Sequence, residues 1–312
     1  MNVLLGSPRG YCAGVARALD IVELCLERLG APIYVRHEII HNPHVVDELR
    51  NKGAVFVENL SEVPMGHTVI FSAHGVSPVV RDEAKKRNLN IIDATCPLVT
   101  KVHVEALKYA GEGYSIILVG HRDHDEVIGT TGHAPQHTIL VETIDDARKV
   151  EVKNPNRVVA LTQTTLSVTD TAEIIEVLKH KFPKLLTRND ICYATTNRQT
   201  AVKELAKKVD IVLVVGANNS SNSLRLREAA ESAGLPAYLV NDPKDVREAW
   251  LTGAKRIGVT SGASTPEWLV NEVVLRLKPN QVDMLPVMEE NVTFILPKEL
   301  RLENNISKNT SV

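Results

Sequence analysis

Three cysteines of this chain sit in look-alike settings, and the thiolate is both a strong nucleophile and a soft-metal ligand. Cys12 in SPRGYCAGVARALDIV, Cys96 in DATCPLVTKVHVEALK and Cys192 in NDICYATTNRQTAVKELAKK each fall in a polar turn, just ahead of a helix-period segment. Polar clusters follow them at nearly constant spacing. His41 lies 29 residues beyond Cys12, His124 lies 28 beyond Cys96, and Ser220 lies 28 beyond Cys192. A second set comes later in each unit: His74 in FSAHG, Thr164 in LTQTT and Ser264 in TSGAS. Three thiols meeting at a centre suit an iron-sulfur cluster with three protein ligands and one iron left open. The competing reading is three small buried hydrophobes, which free cysteines often are. The spacing is too wide for a CxxC zinc knuckle. Cys25 falls on an apolar helical stripe and is expected in the core.

Other clusters carry their own alternatives. HEIIH at 37–41 matches the zinc-protease pattern HExxH, which works only when both histidines share a helical face. Here it follows the strand-like run IYVR, and Pro43 disfavours helix at Asn42, so His41 is better used as a polar group at a strand end. GHRDHDEVIGTTGH at 120–133 reads as a polar loop after the run SIILV. In a closed, dry pocket Glu126 could supply a proton, because burial raises a carboxyl pKa; an exposed loop carboxylate is the alternative. NNSSNS at 218–223 opens a helix, and Ser264 with Glu267 reads as a capping box with Pro266 in the first turn. Helix N-termini are also anion sites, and with His41, His74 and His124 nearby a diphosphate fits. Neither a P-loop nor a strand-borne GxGxxG is present, so a nucleotide is not the obvious ligand.

The elements that must position these groups are α/β. Short apolar runs (NVLLG, IYVR, VFVE, TVIFS, NII, SIILVG, VVALT, IVLVVG, AYLV and RIGVT) alternate with amphipathic helices such as 14–29, which Gly30 stops. Each unit reads cysteine, helix, strand, polar loop, helix, strand, polar loop. Three such units bring their loops to one point when packed as a trefoil about a pseudo-threefold axis, because parallel sheets bind ligands at strand C-terminal ends. The predicted lobes span 13–96, 97–190 and 191–280, with 1–12 and 281–312 joining the third. The length of 312 residues agrees with more than one domain. A net charge of −2 disfavours nucleic acid as the main partner. The longest apolar runs are far short of the ~20 residues of a membrane span. The N-terminal run is broken by Gly6, Pro8 and Arg9, so no signal peptide is read and a cytoplasmic location is expected.

Eight of these motifs, PRGYCAGV, YVRHEIIHN, FSAHGVS, DATCPLVTKVH, LTQTTLS, ICYATTNRQ, NNSSNS and TSGAST, occur in order, and together they resemble the 4-hydroxy-3-methylbut-2-enyl diphosphate reductases. This is the LytB-type family that ends the methylerythritol phosphate route to isoprenoids. The resemblance implies a three-lobed α/β trefoil around one 4Fe-4S cluster held by Cys12, Cys96 and Cys192. It implies diphosphate binding by His41, His74, His124, Ser220, Ser221, Asn222 and Ser264, with Thr164 orienting the substrate hydroxyl beside Glu126 as proton source. The reaction implied is a two-electron reductive dehydroxylation to isopentenyl and dimethylallyl diphosphate, with a ferredoxin or flavodoxin as donor. Family members commonly carry HPEV where this chain has His124-Asp125-Glu126-Val127, which leaves the rigidity of that loop open. A non-catalytic redox sensor using the same thiols, and a zinc hydrolase using HEIIH, are the rival readings.

Overall fold

The computed structural model describes residues 1–301. Parallel pairing throughout gives three sheets among the described residues. After β1 (Asn2–Ser7) and α1 (Ala13–Leu29), the chain runs β2 (Ile33–Arg36), α2 (Pro43–Asn51), β3 (Ala54–Val57), β4 (Thr68–Phe71), α3 (Pro78–Lys86) and β5 (Asn90–Asp93). These strands form a sheet in the order β3-β2-β4-β5. The second unit is α4 (Pro97–Gly111), β6 (Ser115–Val119), α5 (Asp125–His133), β7 (Thr138–Val141), α6 (Ile144–Lys149), β8 (Val158–Thr162), α7 (Val168–Lys181) and β9 (Leu186–Thr187), in sheet order β7-β6-β8-β9. The third is α8 (Tyr193–Ala206), β10 (Ile211–Val215), α9 (Ser221–Ser232), β11 (Ala237–Val240), α10 (Glu248–Leu251), β12 (Arg256–Ser261), α11 (Glu267–Leu277) and β13 (Val282–Pro286). Its sheet takes in the first strand: β11-β10-β12-β1-β13.

The inner strands are short and apolar because both of their faces are covered, which leaves little of the pleat for polar residues. Every residue of β8 and of β10 is buried. The three lobes repeat one wiring, and that wiring decides where ligands can go. In each lobe the chain steps outward from a central strand, then returns to that strand's other side: β2 to β3 then β4, β6 to β7 then β8, β10 to β11 then β12. The loops leaving β2 and β4, β6 and β8, and β10 and β12 therefore diverge at a topological switch point, the place where an open α/β sheet forms a crevice. His41, His74, His124, Thr164, Ser220 and Ser264 follow these six strands, one per loop.

Several elements differ from the sequence reading. Strands β7, β9 and β13 went unread. GHRDHDEVIGTTGH is a loop only as far as His124, after which it is α5. Gly129 and Gly132 look like breakers, yet they let that helix lie against its neighbours: an added Cβ would fall 3.3 Å from Nε2 of His103 and 2.3 Å from Cβ of Ser77. Within the expected C-terminal segment 281–312, the described part, 281–301, keeps only partly to the third lobe. Strand β13 pairs with β1, but the chain then crosses to the first lobe, where Leu300 enters its core and the backbone oxygens of Ile295 and Leu300 accept from Arg17 and Arg28 of α1. Residues 302–312 lie outside the described residues. Cys25 is fully buried in the first lobe's core.

Candidate active site

Cys12, Cys96 and Cys192 are the N-cap residues of α1, α4 and α8. None of the three uses its side chain to cap the helix, which leaves the sulfurs free to point elsewhere. Their backbones are fixed in the same way each time. The amide of Cys12 donates to the Ala263 oxygen (3.3 Å), that of Cys96 to Ala73 (2.9 Å) and that of Cys192 to Thr164 (3.0 Å). Each acceptor lies in the loop after β12, β4 or β8, so every cysteine is pinned by the loop that ends the preceding unit in cyclic order. All three line one cavity, a concave site shared by the three lobes and of the kind that takes small molecules.

The same cavity is lined by His41, His74, His124, Glu126, Thr164, Ser220, Ser221, Asn222 and Ser264, so the structure brings every site residue expected from the sequence to one place. His41 and His74 stack with ring centroids 4.1 Å apart, and His124 stands edge-on to both at 5.7 and 5.9 Å. His124 caps α5 by accepting from the Glu126 amide at Nδ1 (3.2 Å), which fixes the neutral ring's proton on Nε2. Glu126 is buried and closely held by Thr164, whose amide donates to Oε2 (2.9 Å) and whose hydroxyl lies 3.0 and 2.9 Å from the two carboxyl oxygens. On the third lobe, Ser220 caps α9 and lies 3.5 Å from the Ser264 hydroxyl. The Asn222 side chain accepts from the Ala263 amide (3.0 Å), locking the two loops of that lobe together.

Matches to known proteins cover this whole architecture. The family model described as LytB protein matches residues 3–278. The chain belongs to the LytB family. It is 56% identical over 308 residues to 4-hydroxy-3-methylbut-2-enyl diphosphate reductase 2 of Burkholderia mallei, covering 97% of this chain and 94% of that one. It is also 56% identical over 306 residues to the reductase of Streptomyces avermitilis, covering 96% and 90%. The solved structure of the E-1-hydroxy-2-methyl-but-2-enyl-4-diphosphate reductase from Plasmodium falciparum superposes with a TM-score of 0.93 at 43% identity, covering 96% of each chain. A second solved reductase, described as the terminal enzyme of the non-mevalonate pathway, gives 0.65 at 34% identity over 89% of this chain and 99% of that one.

Burial governs the electrostatics of this LytB site. It pushes the Cys96 thiol up to about 12 and the Cys192 thiol up to about 11, so without a bound cation these sulfurs keep their protons. Burial also pulls His74 well below the usual imidazole range, an effect deepened by His41 and His124, and it lowers His124 too. The donor set fits an iron-sulfur cluster. Three soft sulfurs converge at three helix N-termini, whose dipoles favour negative charge. The space beside them is kept by a missing side chain: a Cβ on Gly14 would stand 2.7 Å from Sγ of Cys96 and 3.8 Å from Sγ of Cys12.

Some expectations for LytB residues change. The capping box at Ser264 does not form: Pro266 is the N-cap of α11, Ser264 donates instead to the His41 oxygen (3.1 Å), and Glu267 pairs with Arg9. HEIIH is not helical. His37 has a left-handed φ of 58° and bonds Asp125 at 2.8 Å, whereas His41 bonds Glu38 at 3.2 Å, so the two histidines do not share a helical face for zinc. Asp125 takes the first position of α5, where proline is equally at home. Burial alone would raise its carboxyl pKa; the bond from His37 and the nearby His74 outweigh that and hold it well below the usual range. The second lobe's helix is thereby tied to the first lobe's loop. Thr165, Thr195 and Gly14 also line the cavity and were not picked out. Thr195 sits one helical turn after Cys192, its hydroxyl 3.3 Å from the sulfur, a spacing that could have flagged it.

Proposed function

We propose that this chain reduces 4-hydroxy-3-methylbut-2-enyl diphosphate, breaking the allylic C–O bond to give isopentenyl and dimethylallyl diphosphate. Two electrons and two protons enter, one new C–H bond forms, and the hydroxyl leaves as water. Cys12, Cys96 and Cys192 would hold one 4Fe-4S cluster per chain, which when bound supplies the electrons and a Lewis-acidic iron. The protein supplies position, charge and protons.

The observation that carries this reading is the meeting of two unlike groups in one cavity. A buried carboxyl clasped by a threonine faces three histidines and a hydroxyl-lined helix start. His41, His74, His124, Ser220, Ser221, Asn222 and Ser264 would bind the diphosphate at the N-terminus of α9, where backbone amides and dipole both favour an anion. Burial holds His74 and His124 below the usual imidazole range, and an arriving anion would draw protons onto them. Glu126 would pass a proton to the departing oxygen, while Thr164 fixes which way its carboxyl points and orients the substrate hydroxyl. Lobes 13–96, 97–190 and 191–280, an external ferredoxin or flavodoxin as donor, and a cytoplasmic location belong to the same proposal. Among the described residues no helix is long and apolar enough to cross a membrane.

The test is anaerobic purification, iron and sulfide analysis, and assay with a chemically reduced donor. The expected result is a cluster-bearing enzyme in which Glu126→Gln abolishes turnover and leaves the iron content unchanged. A redox sensor would be indifferent to that substitution, and protein carrying zinc without iron or sulfide would overturn the reading.

A further inference from the structure

Each cysteine-bearing helix carries a cation near its start, and each cation reaches the loop leading into the next cysteine. Arg17 of α1, five residues after Cys12, donates through Nη1 to the Ala94 and Thr95 oxygens at 3.2 and 3.0 Å, directly ahead of Cys96. Lys101 of α4, five residues after Cys96, bonds Oδ1 of Asp190 at 3.0 Å, two residues ahead of Cys192. Arg198 of α8, six residues after Cys192, donates to the Gly10 oxygen at 2.8 Å, two residues ahead of Cys12. The circuit closes on itself: first helix to second loop, second to third, third to first.

Helix stability does not explain these positions. A cation in the first turns opposes the positive end of the helix dipole. Nor is surface pairing the reason. Arg198 is fully buried and Arg17 is 9% exposed, while the Asp190 side chain that receives Lys101 has no exposure at all. Burying a guanidinium mostly against backbone oxygens, as Arg17 is, carries a desolvation penalty that only well-formed hydrogen bonds offset. What the three contacts share is their target, the two or three residues that set where a sulfur stands.

We propose that Arg17, Lys101 and Arg198 are a ring of positioning residues that hold the three cysteine loops at a fixed spacing. This rests on the reading that the three sulfurs carry an iron-sulfur cluster. Partners just outside a ligand set hold the ligands in place, and losing one weakens metal retention by roughly 10–100-fold. Lys101 is the position to test first, because its own side chain is about half exposed (48%).

The experiment measures iron and sulfide content and the half-life of the cluster's visible absorption under a chelator, in anaerobically prepared protein. Lys101→Met is expected to shorten that half-life by about tenfold with an unchanged circular dichroism spectrum, and Lys101→Arg is expected to restore it. Lys108→Met, an exposed cation on the same helix but off the ring, should behave as wild type. Arg198→Lys, which keeps a buried cation, should retain the cluster better than Arg198→Met. Wild-type half-lives in Lys101→Met, or a Lys101→Arg protein as labile as Lys101→Met, would overturn the inference. Wild-type protein that binds no iron or sulfide would instead overturn the reading beneath it.

Discussion

Replacing Gly14 by alanine tests the cysteine site at its tightest point. The new Cβ would lie 2.7 Å from Sγ of Cys96 and 3.5 Å from Cβ of the same residue. Ordinary contact begins at about 3.5–4.0 Å, so the Cys96 β-carbon can stay while its sulfur must retreat by roughly 1 Å. Metal-ligand distances are held to about ±0.2 Å, several times less than that retreat. Overpacking of this kind costs about 1–3 kcal/mol, and alanine's better helix propensity returns up to about 0.5–1 kcal/mol. Against a total stability of ~5–15 kcal/mol the variant still folds. The expected outcome is therefore a folded protein with most of its iron and sulfide missing after anaerobic purification. Gly111→Ala, where an added Cβ meets nothing within 4 Å, is the control and should load normally. A Gly14→Ala protein with wild-type iron and sulfide would refute the argument that the missing side chain makes room for the sulfurs.

Thr164→Val keeps the backbone bond to Glu126 but removes the hydroxyl at 2.9–3.0 Å. Leaving a buried polar group without its hydrogen-bond partner costs about 1–3 kcal/mol, so kcat should fall roughly 5–100-fold with iron content unchanged; an undiminished kcat would remove Thr164 from the proton path. His103 concerns stability. Burial, helped by His133, pulls its pKa down to about 3, whereas the unfolded chain takes up that proton near the ordinary value of about 6.5. Its stability contribution is thus complete above about 6.5 and declines as pH falls through the window below. Urea midpoints should drop between pH 7 and pH 5, and His103→Leu should remove up to about 2 kcal/mol of that drop; an equal drop in the variant would count against this.

The site was more legible than the elements between its parts. Cys12, Cys96 and Cys192 could be used as rulers because repeated wiring forces repeated spacing, and each polar cluster marks the end of a strand flanking a switch point. The edge strands were hidden for physical reasons. β13 alternates only between exposed and half-buried residues and ends in Pro286, while β9 is two exposed residues long. Helix α5 was hidden by Gly129 and Gly132, whose role is close approach to His103 and Ser77 in three dimensions, invisible in a propensity count. Ser264 misled in the other direction. Its spacing to Glu267 satisfies a capping box, but Pro266 takes the cap and tertiary contacts to His41 and Ser220 claim the hydroxyl. The link from Asp125 to His37 joins residues 88 positions apart and has no local signature.

Strand β1 lies between β12 and β13, with Val3 opposite both Ile257 and Val282. During synthesis it therefore leaves the ribosome well ahead of its partners, which follow only after about 250 further residues. At ~5–20 residues per second, that leaves a bare apolar segment waiting for roughly 10–50 s. The first two sheets are complete once residues 93 and 187 have emerged, so they can form in the meantime. Cys12, just beyond the waiting strand, cannot settle beside the other two thiols until the last lobe closes around β1. Assembly of the three-sulfur site is thereby deferred until the strands of the third sheet have emerged, when the first two lobes are there to shield it.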